Sequence, residues 1–373
     1  MEDEIRRTLN EAIESKVFSG ASVSVVDKQG KTRAINAGTT RYDSDEPFTD
    51  TSLVDIASIT KLLTSLALYR YAQGLPEGLA FLQRPIREFL PDLNLAPHSQ
   101  EITIADVLEM RPYWQTGASL SGVTREIFAQ TPDHHERIQR LHEFLMHASV
   151  SKLPDTTCNY QDASFIALGW VLEQLYPGMT YDDIVTQAVL EPLGMRDTTT
   201  HPDISRCVPS GYQDGMYLQG IPHDPKARLM HGHAGFFSTG SDLTRLAYML
   251  QRIGKLPESR EDFLTTESFD SLTHPRSLDM RRGWWGRGIR RYQGPEQPPH
   301  GTNDLWFGPH ADNDTLGISG FTAQSISIYG ERTSVVMLTN YHVPADLNGH
   351  TGDKDFPGEI QAVRMRVLEA VSR

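Results

Sequence analysis

Apolar and polar positions along the chain predict a helix and a β-hairpin at its start. Residues 4–17 carry apolar side chains at helical spacing, which predicts an amphipathic helix. Residues 20–31 predict a strand that ends in a turn, and residues 32–38 predict its hairpin partner. The N-terminal segment therefore contributes one edge of a predicted antiparallel sheet.

Further strand patterns lie near the end of the chain. Residues 321–328 and 333–339 predict strands, and residues 359–371 predict a closing amphipathic helix. Residues 255–315 are rich in proline, glycine, arginine and tryptophan, which predicts long loops and edge strands. From residue 58 to about residue 200 the periodicity is mainly helical and is interrupted by prolines.

This order of elements predicts an α+β fold. Residues 236–242 predict a strand end and a helix cap, with a helix from 243 to about 253. We expect an antiparallel sheet built from both ends of the chain and flanked by helices, with a mostly helical part inserted and a cleft between them. The prediction is a single domain over 1–373, with its sheet part in 1–57 and 235–373 and its helical part in about 58–234.

Composition and charge narrow the function classes. The 373 residues are 38% hydrophobic and 22% charged, which is typical of a soluble globular enzyme. The formal charge of −13, without a block of lysine and arginine, argues against a nucleic-acid partner. Apolar runs fall short of the length needed to span a bilayer, so we expect no membrane partner either.

The first residues and the cysteines bear on location. The sequence begins with acidic residues and lacks the apolar core of a signal peptide, although removal of a leader would leave the same sequence. Cys158 and Cys207 are too few for a disulfide framework. We therefore expect a cytoplasmic protein with reduced thiols.

A serine and a lysine lie three residues apart at the start of a predicted helix, in DIASITK at 55–61. This spacing puts Ser58 and Lys61 on one face of the helix, one turn apart. Lysine can serve as a base for the hydroxyl, and the helix dipole favours negative charge at a helix N-terminus. The spacing alone is more often that of a capping serine and a surface lysine, so partners elsewhere in the chain must decide.

Other candidate nucleophiles are weaker. Ser149 and Lys152 repeat the spacing, but Pro154 follows at once and predicts a helix end without a helpful dipole. The chain lacks Gly-x-Ser-x-Gly, which disfavours an α/β-hydrolase. Cys158 is more typical of a structural thiol than of a nucleophile.

Histidine pairs give little support for a metal. His134 and His135 are adjacent, and His231 and His233 are separated by one residue, but neither pair has a third ligand at a recognisable spacing. We therefore predict no metal and no cofactor.

A candidate partner for the serine and lysine lies about a hundred residues further on, in NYQD at 159–162. Tyr160 and Asp162 immediately precede a predicted helix over 163–175. A phenol held near a lysine can shuttle the proton of a nucleophile. A structural tyrosine at a helix start is the alternative.

Together these segments resemble the serine β-lactamase-like superfamily, of the class C type that also contains penicillin-binding proteins, D-aminopeptidases, esterases and transacylases. The resemblance runs through almost the whole chain in the family's order. The matching segments are ASITK at 57–61, YQDASFIALG at 160–169, EPLGMRDT at 191–198, HDPKA at 223–227, HAGFFST at 233–239 and the strand pair at 317–340.

The resemblance implies a β-lactamase/transpeptidase-like fold and a role for each matching residue. Ser58 is then the acylated nucleophile, with Lys61 and Tyr160 sharing the proton transfers. The backbone amides of Ser58 and Phe321 would form the oxyanion hole. Asp162 stands where the family more often has asparagine, and it could keep Lys61 charged and leave Tyr160 as the base.

The third motif departs from the family pattern. Ile318, Ser319 and Gly320 stand where a lysine or histidine, a hydroxyl residue and a glycine are usual, and we expect all three to line the substrate site. Isoleucine cannot bind a substrate carboxylate, which argues against penicillin or D-Ala-D-Ala as substrate. A true HTG triplet at 350–352 lies in a predicted polar loop, and we interpret it as coincidental.

A second departure lies in EMRPYWQTG at 109–117, where the family usually has THTSGL. Trp114 in this segment is a candidate to line an altered substrate pocket. A structural aromatic residue on a re-routed loop is the alternative.

These observations favour a serine hydrolase that acts through an acyl-enzyme on a small-molecule ester or amide without an essential carboxylate. A transacylase of secondary metabolism with the same nucleophile is the alternative. A D,D-peptidase or β-lactamase and a catalytically silent binding protein are less favoured.

Overall fold

The computed structural model describes residues 1–259, 261–280, 283–294, 307–330, 332–343 and 358–372. Its strands lie towards both ends of the chain, and its helices lie mainly in the middle. The strands of these residues are β1 (Gly20–Asp27), β2 (Thr32–Gly38), β3 (Val54–Asp55), β4 (Pro112–Gln115), β5 (Ser149–Lys152), β6 (Tyr212–Gln213), β7 (Met216–Tyr217), β8 (Phe237–Ser238), β9 (Ser277–Asp279), β10 (Gly283–Trp285), β11 (Arg290–Arg291), β12 (Thr315–Ser319), β13 (Ser325–Tyr329) and β14 (Thr333–Thr339). The helices are α1 (Glu2–Glu14), α2 (Thr60–Gln73), α3 (Ile104–Leu108), α4 (Leu120–Gln130), α5 (His134–His147), α6 (Asp162–Leu175), α7 (Tyr181–Val185), α8 (Glu191–Leu193), α9 (Gly240–Gln251), α10 (Thr266–Thr273) and α11 (Gly358–Ser372).

Eight strands form one antiparallel sheet in the order β2-β1-β14-β13-β12-β11-β10-β9. Strand β1 from the start of the chain pairs with β14 near its end, from Ala21 opposite Thr339 to Asp27 opposite Thr333. The remaining described strands form the pairs β3–β8, β4–β5 and β6–β7. The predicted α+β class, with an antiparallel sheet flanked by helices, is confirmed.

Helices cover both faces of the sheet. On one face α1 and α11 pack together, and Val23 and Val25 of β1 point into their apolar cluster. On the other face α9 packs on β1, β13 and β14. The alternate residues of β1 on that side, Ser22 and Ser24, are small and buried, which lets the helix approach closely. Strand β1 is therefore buried almost throughout because both of its faces are covered.

Two segments differ from the sequence prediction. Residues 321–324, predicted as the start of a strand, form a turn in which the Gly320 amide donates to the Gln324 carbonyl oxygen over 2.9 Å. Ala323 has a φ of +71°, a conformation that a strand excludes. Helix α10 lies in a region predicted as loops, and the Thr265 side chain caps it.

The predicted boundaries between the sheet part and the helical part, at residues 57/58 and 234/235, stay a prediction. The HTG triplet at 350–352 lies outside the described residues. In the part of the chain that the structure describes, no helix has both the length and the apolar character to cross a membrane.

Candidate active site

A strained turn presents Ser58 at the start of α2. Strand β3 pairs with β8, and the Asp55 carboxylate then accepts a hydrogen bond of 2.8 Å from the amide of Ala57. Ala57 has a φ of +43°, which is unusual for a residue with a Cβ atom. One turn of 3₁₀-helix at Ala57–Ile59 leads into α2, and Ser58 is half-exposed there.

Lys61 lies one turn further along and is completely buried, with 0% of its side chain exposed. Its Nζ donates to Ser58 Oγ at 2.9 Å, to Asp162 Oδ1 at 2.8 Å and to the carbonyl oxygen of His233 at 3.1 Å. These three bonds use the three protons of an ammonium group. The geometry therefore holds Lys61 as a cation whose direction is fixed towards the serine oxygen.

The charges of Lys61 and Asp162 support each other. Burial is the largest influence on the pKa of Lys61 and lowers it, but the Asp162 carboxylate and the Tyr160 phenol together raise it by more. Burial also raises the pKa of Asp162, but the ammonium groups of Lys61 and Lys226 bring that pKa well below its usual range. Both groups are therefore ionised at neutral pH.

Tyr160 lies against two cations. The ring centroid is 5.0 Å from Lys61 Nζ and 5.6 Å from the guanidinium carbon of Arg290 on β11. Trp285 packs on the same ring edge to face, with centroids 5.6 Å apart. The backbone before the tyrosine is fixed as well, because the amide of Asn159 donates to the carbonyl oxygen of Met110 over 2.7 Å.

A network of charged and polar side chains continues from Asp162 away from the serine. Lys226 Nζ lies 3.4 Å from Asp162 Oδ2 and 2.9 Å from Asp224 Oδ1. His233 Nε2 lies 3.1 Å from Asp224 Oδ2. Burial lowers the pKa of His233 below its usual value, so its neutral ring donates to the carboxylate. These contacts fix the position of Asp162 on its side away from Ser58.

Oxygen and nitrogen atoms of Asp162, Asp224 and His233 lie within 4.8 Å of one another, as ligands of a metal ion would. The ammonium of Lys226 already pairs with both carboxylates at this point. It also donates to Ser121 Oγ at 2.8 Å. The donor set therefore fits an ion-pair network centred on a lysine and not a cation-binding site.

The turn between β12 and β13 lies directly against the serine turn. A Cβ atom at Gly320 would come within 2.5 Å of the carbonyl oxygen of Ile56, so only glycine allows this approach. The hydroxyl of Thr322 donates to the carbonyl oxygen of Asp55 over 2.7 Å. Phe321, between these two contacts, is therefore held next to the Ser58 turn, as the predicted oxyanion hole requires.

Ile318 occupies a core position. It is 5% exposed and belongs to the main apolar cluster, opposite Ile326 across the β12–β13 pair. The structure thus gives this residue apolar packing within that cluster, and its predicted contact with a substrate stays a prediction. Ser319 is half-exposed at the strand end, and substrate contacts of Ser319 and Gly320 stay predictions.

Trp114 is buried in the structure, and its predicted contact with a substrate stays a prediction. Strand β4 pairs with β5 and alternates between inside and outside, so that Trp114 is 1% exposed whereas Tyr113 is 42% exposed. The amide of Trp114 donates to Gln161 Oε1 over 2.9 Å. Trp114 therefore anchors the segment that carries Tyr160 and Asp162, without facing solvent.

The rival motifs belong to other parts of the fold. Ser149 and Lys152 lie on strand β5 and not on a helix, and Lys152 Nζ pairs with Asp106 at 2.8 Å. His231 Nδ1 lies 2.7 Å from Asp182 Oδ1, whereas His233 faces Asp224. The two histidines thus serve different carboxylates.

Two charged residues of the site were missed in the sequence. Lys226 lies inside the matched segment at 223–227, so a charged residue within a family motif was the available signal. Arg290 lies in the arginine-rich region predicted as loops and edge strands, and its register opposite Gly317 brings it to Tyr160. That pairing is not visible in the sequence.

Comparison with known proteins establishes the family. The beta-lactamase family profile matches residues 5–354, and the chain belongs to the beta-lactamase family. It is therefore a serine hydrolase of that family, and the predicted β-lactamase/transpeptidase-like fold is confirmed.

One curated relative and two solved structures are distant in sequence but match nearly the whole chain. A beta-lactamase of Pseudomonas fluorescens is 25% identical over 357 residues, which cover 90% of this chain and 92% of that protein. The structure of EstCE1, a hydrolase with promiscuous acyltransferase activity, has a TM-score of 0.75 at 18% identity and covers 100% of this chain and 98% of that chain. A class C beta-lactamase of Rhodobacter sphaeroides has a TM-score of 0.67 at 18% identity, with 99% of both chains covered.

Proposed function

We propose that the protein hydrolyses small uncharged esters or amides through an acyl-enzyme on Ser58. The observation that carries the proposal is the 2.9 Å hydrogen bond from Lys61 Nζ to Ser58 Oγ, made by a buried cation that also faces Tyr160. A hydroxyl held this way is positioned for attack, and the cation stabilises the negative charge that develops on its oxygen.

Tyr160 is the proposed proton acceptor. Lys61 uses all three of its protons in hydrogen bonds and carries a raised pKa, so it acts as a donor and not as a base. In acylation, Ser58 Oγ bonds to the carbonyl carbon while its proton passes to the phenolate oxygen of Tyr160. The C–O or C–N bond to the leaving group then breaks, and the departing alcohol or amine takes that proton. In deacylation, water gives a proton to Tyr160, attacks the acyl carbon and releases Ser58, which regains the proton.

The backbone amides of Ser58 and Phe321 are the proposed oxyanion hole. The contacts of Gly320 and Thr322 with the serine turn hold Ser58 and Phe321 next to each other. Amide donors fixed in this way stabilise the tetrahedral oxyanion without reorganisation, and each is worth about a hundredfold in rate or more.

Burial of the cations supports an uncharged acyl group. Lys61 and Arg290, which face the Tyr160 ring, are both buried, and the residue at the third-motif position is Ile318. A substrate carboxylate would lose its hydration at these positions without gaining an exposed cation. This favours esters and amides over penicillins.

Asp162→Asn is expected to move the alkaline limb of the pH profile of kcat/KM to lower pH. Without the carboxylate, burial lowers the pKa of Lys61 with less opposition, so the required ammonium is lost at lower pH. If Lys61 were the base, the acid limb would move to lower pH instead. Steady-state kinetics across the pH range distinguish the two, and Asp262→Asn, which removes the exposed partner of Lys255, is the matched control.

The same substitution is expected to reduce the free energy of unfolding by about 3 kcal/mol at neutral pH, because it leaves Lys61 and Lys226 without their shared anion. The folded pKa of Asp162 lies below its unfolded value of about 3.9. Its contribution is therefore present above that value and is lost as the pH falls towards the folded pKa. Urea titrations should show the difference between wild type and variant shrinking in acid.

The function is tested by comparing p-nitrophenyl esters, a p-nitroanilide and a penicillin as substrates of the wild type, with products identified by mass spectrometry. Turnover of an uncharged ester or anilide is expected, with little reaction of the penicillin. Reaction with the penicillin alone, or with none of them, would overturn the proposal. Faster release of p-nitrophenol on adding alcohols, with a new ester as product, would favour acyl transfer, to which the likeness to EstCE1 gives some support.

A further inference from the structure

Phe321 exposes an aromatic ring beside the proposed oxyanion hole. The residue is 40% exposed, although the neighbouring Gly320 and Thr322 are buried. Its amide is a proposed donor to the reacting carbonyl oxygen, so its ring belongs to a residue that would contact the reacting group. An exposed phenylalanine at such a point provides a binding surface for an apolar part of the substrate.

Two histidine rings extend this surface into a wall. The ring of His342 stacks on that of Phe321, with centroids 4.4 Å apart and an angle of 24° between the planes. His223 packs against both, at 4.6 Å from His342 and 5.4 Å from Phe321. We call these three residues the aromatic wall.

Hydrogen bonds fix the aromatic wall relative to the nucleophile. His342 Nε2 donates to the carbonyl oxygen of Phe321 over 2.7 Å. The amide of His223 donates to Asp55 Oδ2 over 2.9 Å, and Asp55 Oδ1 accepts from Ala57, the residue before the serine. One carboxylate thus joins the wall to the serine turn, so the wall is formed before substrate arrives.

We propose that the aromatic wall binds a planar aromatic acyl group, which stacks on the exposed part of the Phe321 ring. His342 covers one side of that ring in a near-parallel stack, and a flat group on the exposed side continues the stack. The acyl group is uncharged, because the cations around Tyr160 are buried. This inference rests on the proposed function, since it names the substrate class of the same site.

The acyl side is favoured because the wall and the oxyanion donor belong to one residue. The acyl group stays bound to Ser58 through both half-reactions, whereas the leaving group departs after the first. A wall fixed to the Ser58 turn through Asp55 therefore serves acylation and deacylation alike. Binding of the leaving group on the wall is the competing arrangement.

Two pairs of substrates separate shape from hydrophobicity. The acyl pair is p-nitrophenyl phenylacetate and p-nitrophenyl cyclohexylacetate, which differ in the planarity of the ring. The alcohol pair is benzyl acetate and cyclohexylmethyl acetate. We expect kcat/KM to favour phenylacetate over cyclohexylacetate by about tenfold, with a ratio near one in the alcohol pair.

Variants of Phe321 keep the backbone amide and change the ring. Phe321→Leu is expected to reduce the phenyl-to-cyclohexyl ratio to near one, mainly through KM, whereas Phe321→Tyr keeps it. Ile253→Ala, at an exposed apolar side chain after α9, is the control and leaves the ratio unchanged. Circular dichroism confirms folding, and the ratio within each variant cancels any general loss of activity.

The result separates the two proposals. The aromatic wall as an acyl site would be overturned by equal rates for both acyl esters, by a planar preference only in the alcohol pair, or by a preference that survives Phe321→Leu. If the esters were still turned over in these cases, the proposed serine hydrolase function would remain. Absence of turnover and of an acyl adduct with every ester would instead overturn the proposed function. If Phe321→Leu fails to fold, the wild-type ratios for the two pairs still decide.

Discussion

Replacing Ser58 with alanine lowers kcat/KM for a p-nitrophenyl ester by at least about ten-thousandfold. The hydroxyl oxygen is the proposed attacking atom, and Lys61 Nζ already lies 2.9 Å from it. A remaining oxyanion hole and binding surface give only slow attack by water. The initial rate of p-nitrophenol release, at substrate concentrations below KM, measures the loss.

Ser149→Ala is the matched control, because it changes the serine of the second Ser-x-x-Lys sequence. That serine lies on strand β5, and its lysine, Lys152, pairs with Asp106 instead. The control should retain wild-type activity. A Ser58→Ala variant that keeps more than about a tenth of the activity would contradict a nucleophilic role for Ser58.

Lys61→Met should lower kcat for the same ester by about a thousandfold. Methionine has a similar length but supplies neither the hydrogen bond to Ser58 nor the positive charge beside Tyr160. The variant also leaves Asp162 without its closest cation, which should reduce the free energy of unfolding by about 3 kcal/mol. Stopped-flow acylation and urea titration measure the two effects separately.

Lys152→Met supplies the control for this second prediction. Lys152 is partly exposed and its partner Asp106 also pairs with Arg111, so the substitution should cost little stability and no activity. A Lys61→Met variant with near-normal acylation would show that the buried ammonium only stabilises the fold. Normal stability with impaired acylation would show the reverse.

The sequence was sufficient to predict the fold class and those parts of the candidate site that depend on the spacing of nearby residues. The three-residue spacing of Ser58 and Lys61 sets their contact, because the 3₁₀ turn at Ala57–Ile59 continues directly into α2 and places residues three apart on one face. The hairpin of β1 and β2 follows from its apolar pattern and from the Asp27 carboxylate, which accepts hydrogen bonds from two amides of the turn.

Features that depend on distant pairing could not be predicted in this way. Arg290 reaches Tyr160 because β11 pairs with β12, a register that local pattern does not specify. Trp114 is buried because β4 finds a partner in β5, about forty residues away, which turns an expected pocket residue into a core residue. The turn at 321–324 follows a strand-like pattern, but its contacts with the serine turn override it.

The central claim is the acyl-enzyme on Ser58. The most direct measurement is peptide mapping by mass spectrometry after wild-type protein is mixed with an activated ester and quenched in acid during turnover. The acyl mass is expected on the peptide that contains Ser58, and it should be absent from Ser58→Ala and present in Ser149→Ala. Turnover without any covalent adduct, or an adduct on another residue that disappears and reforms with turnover, would contradict the claim.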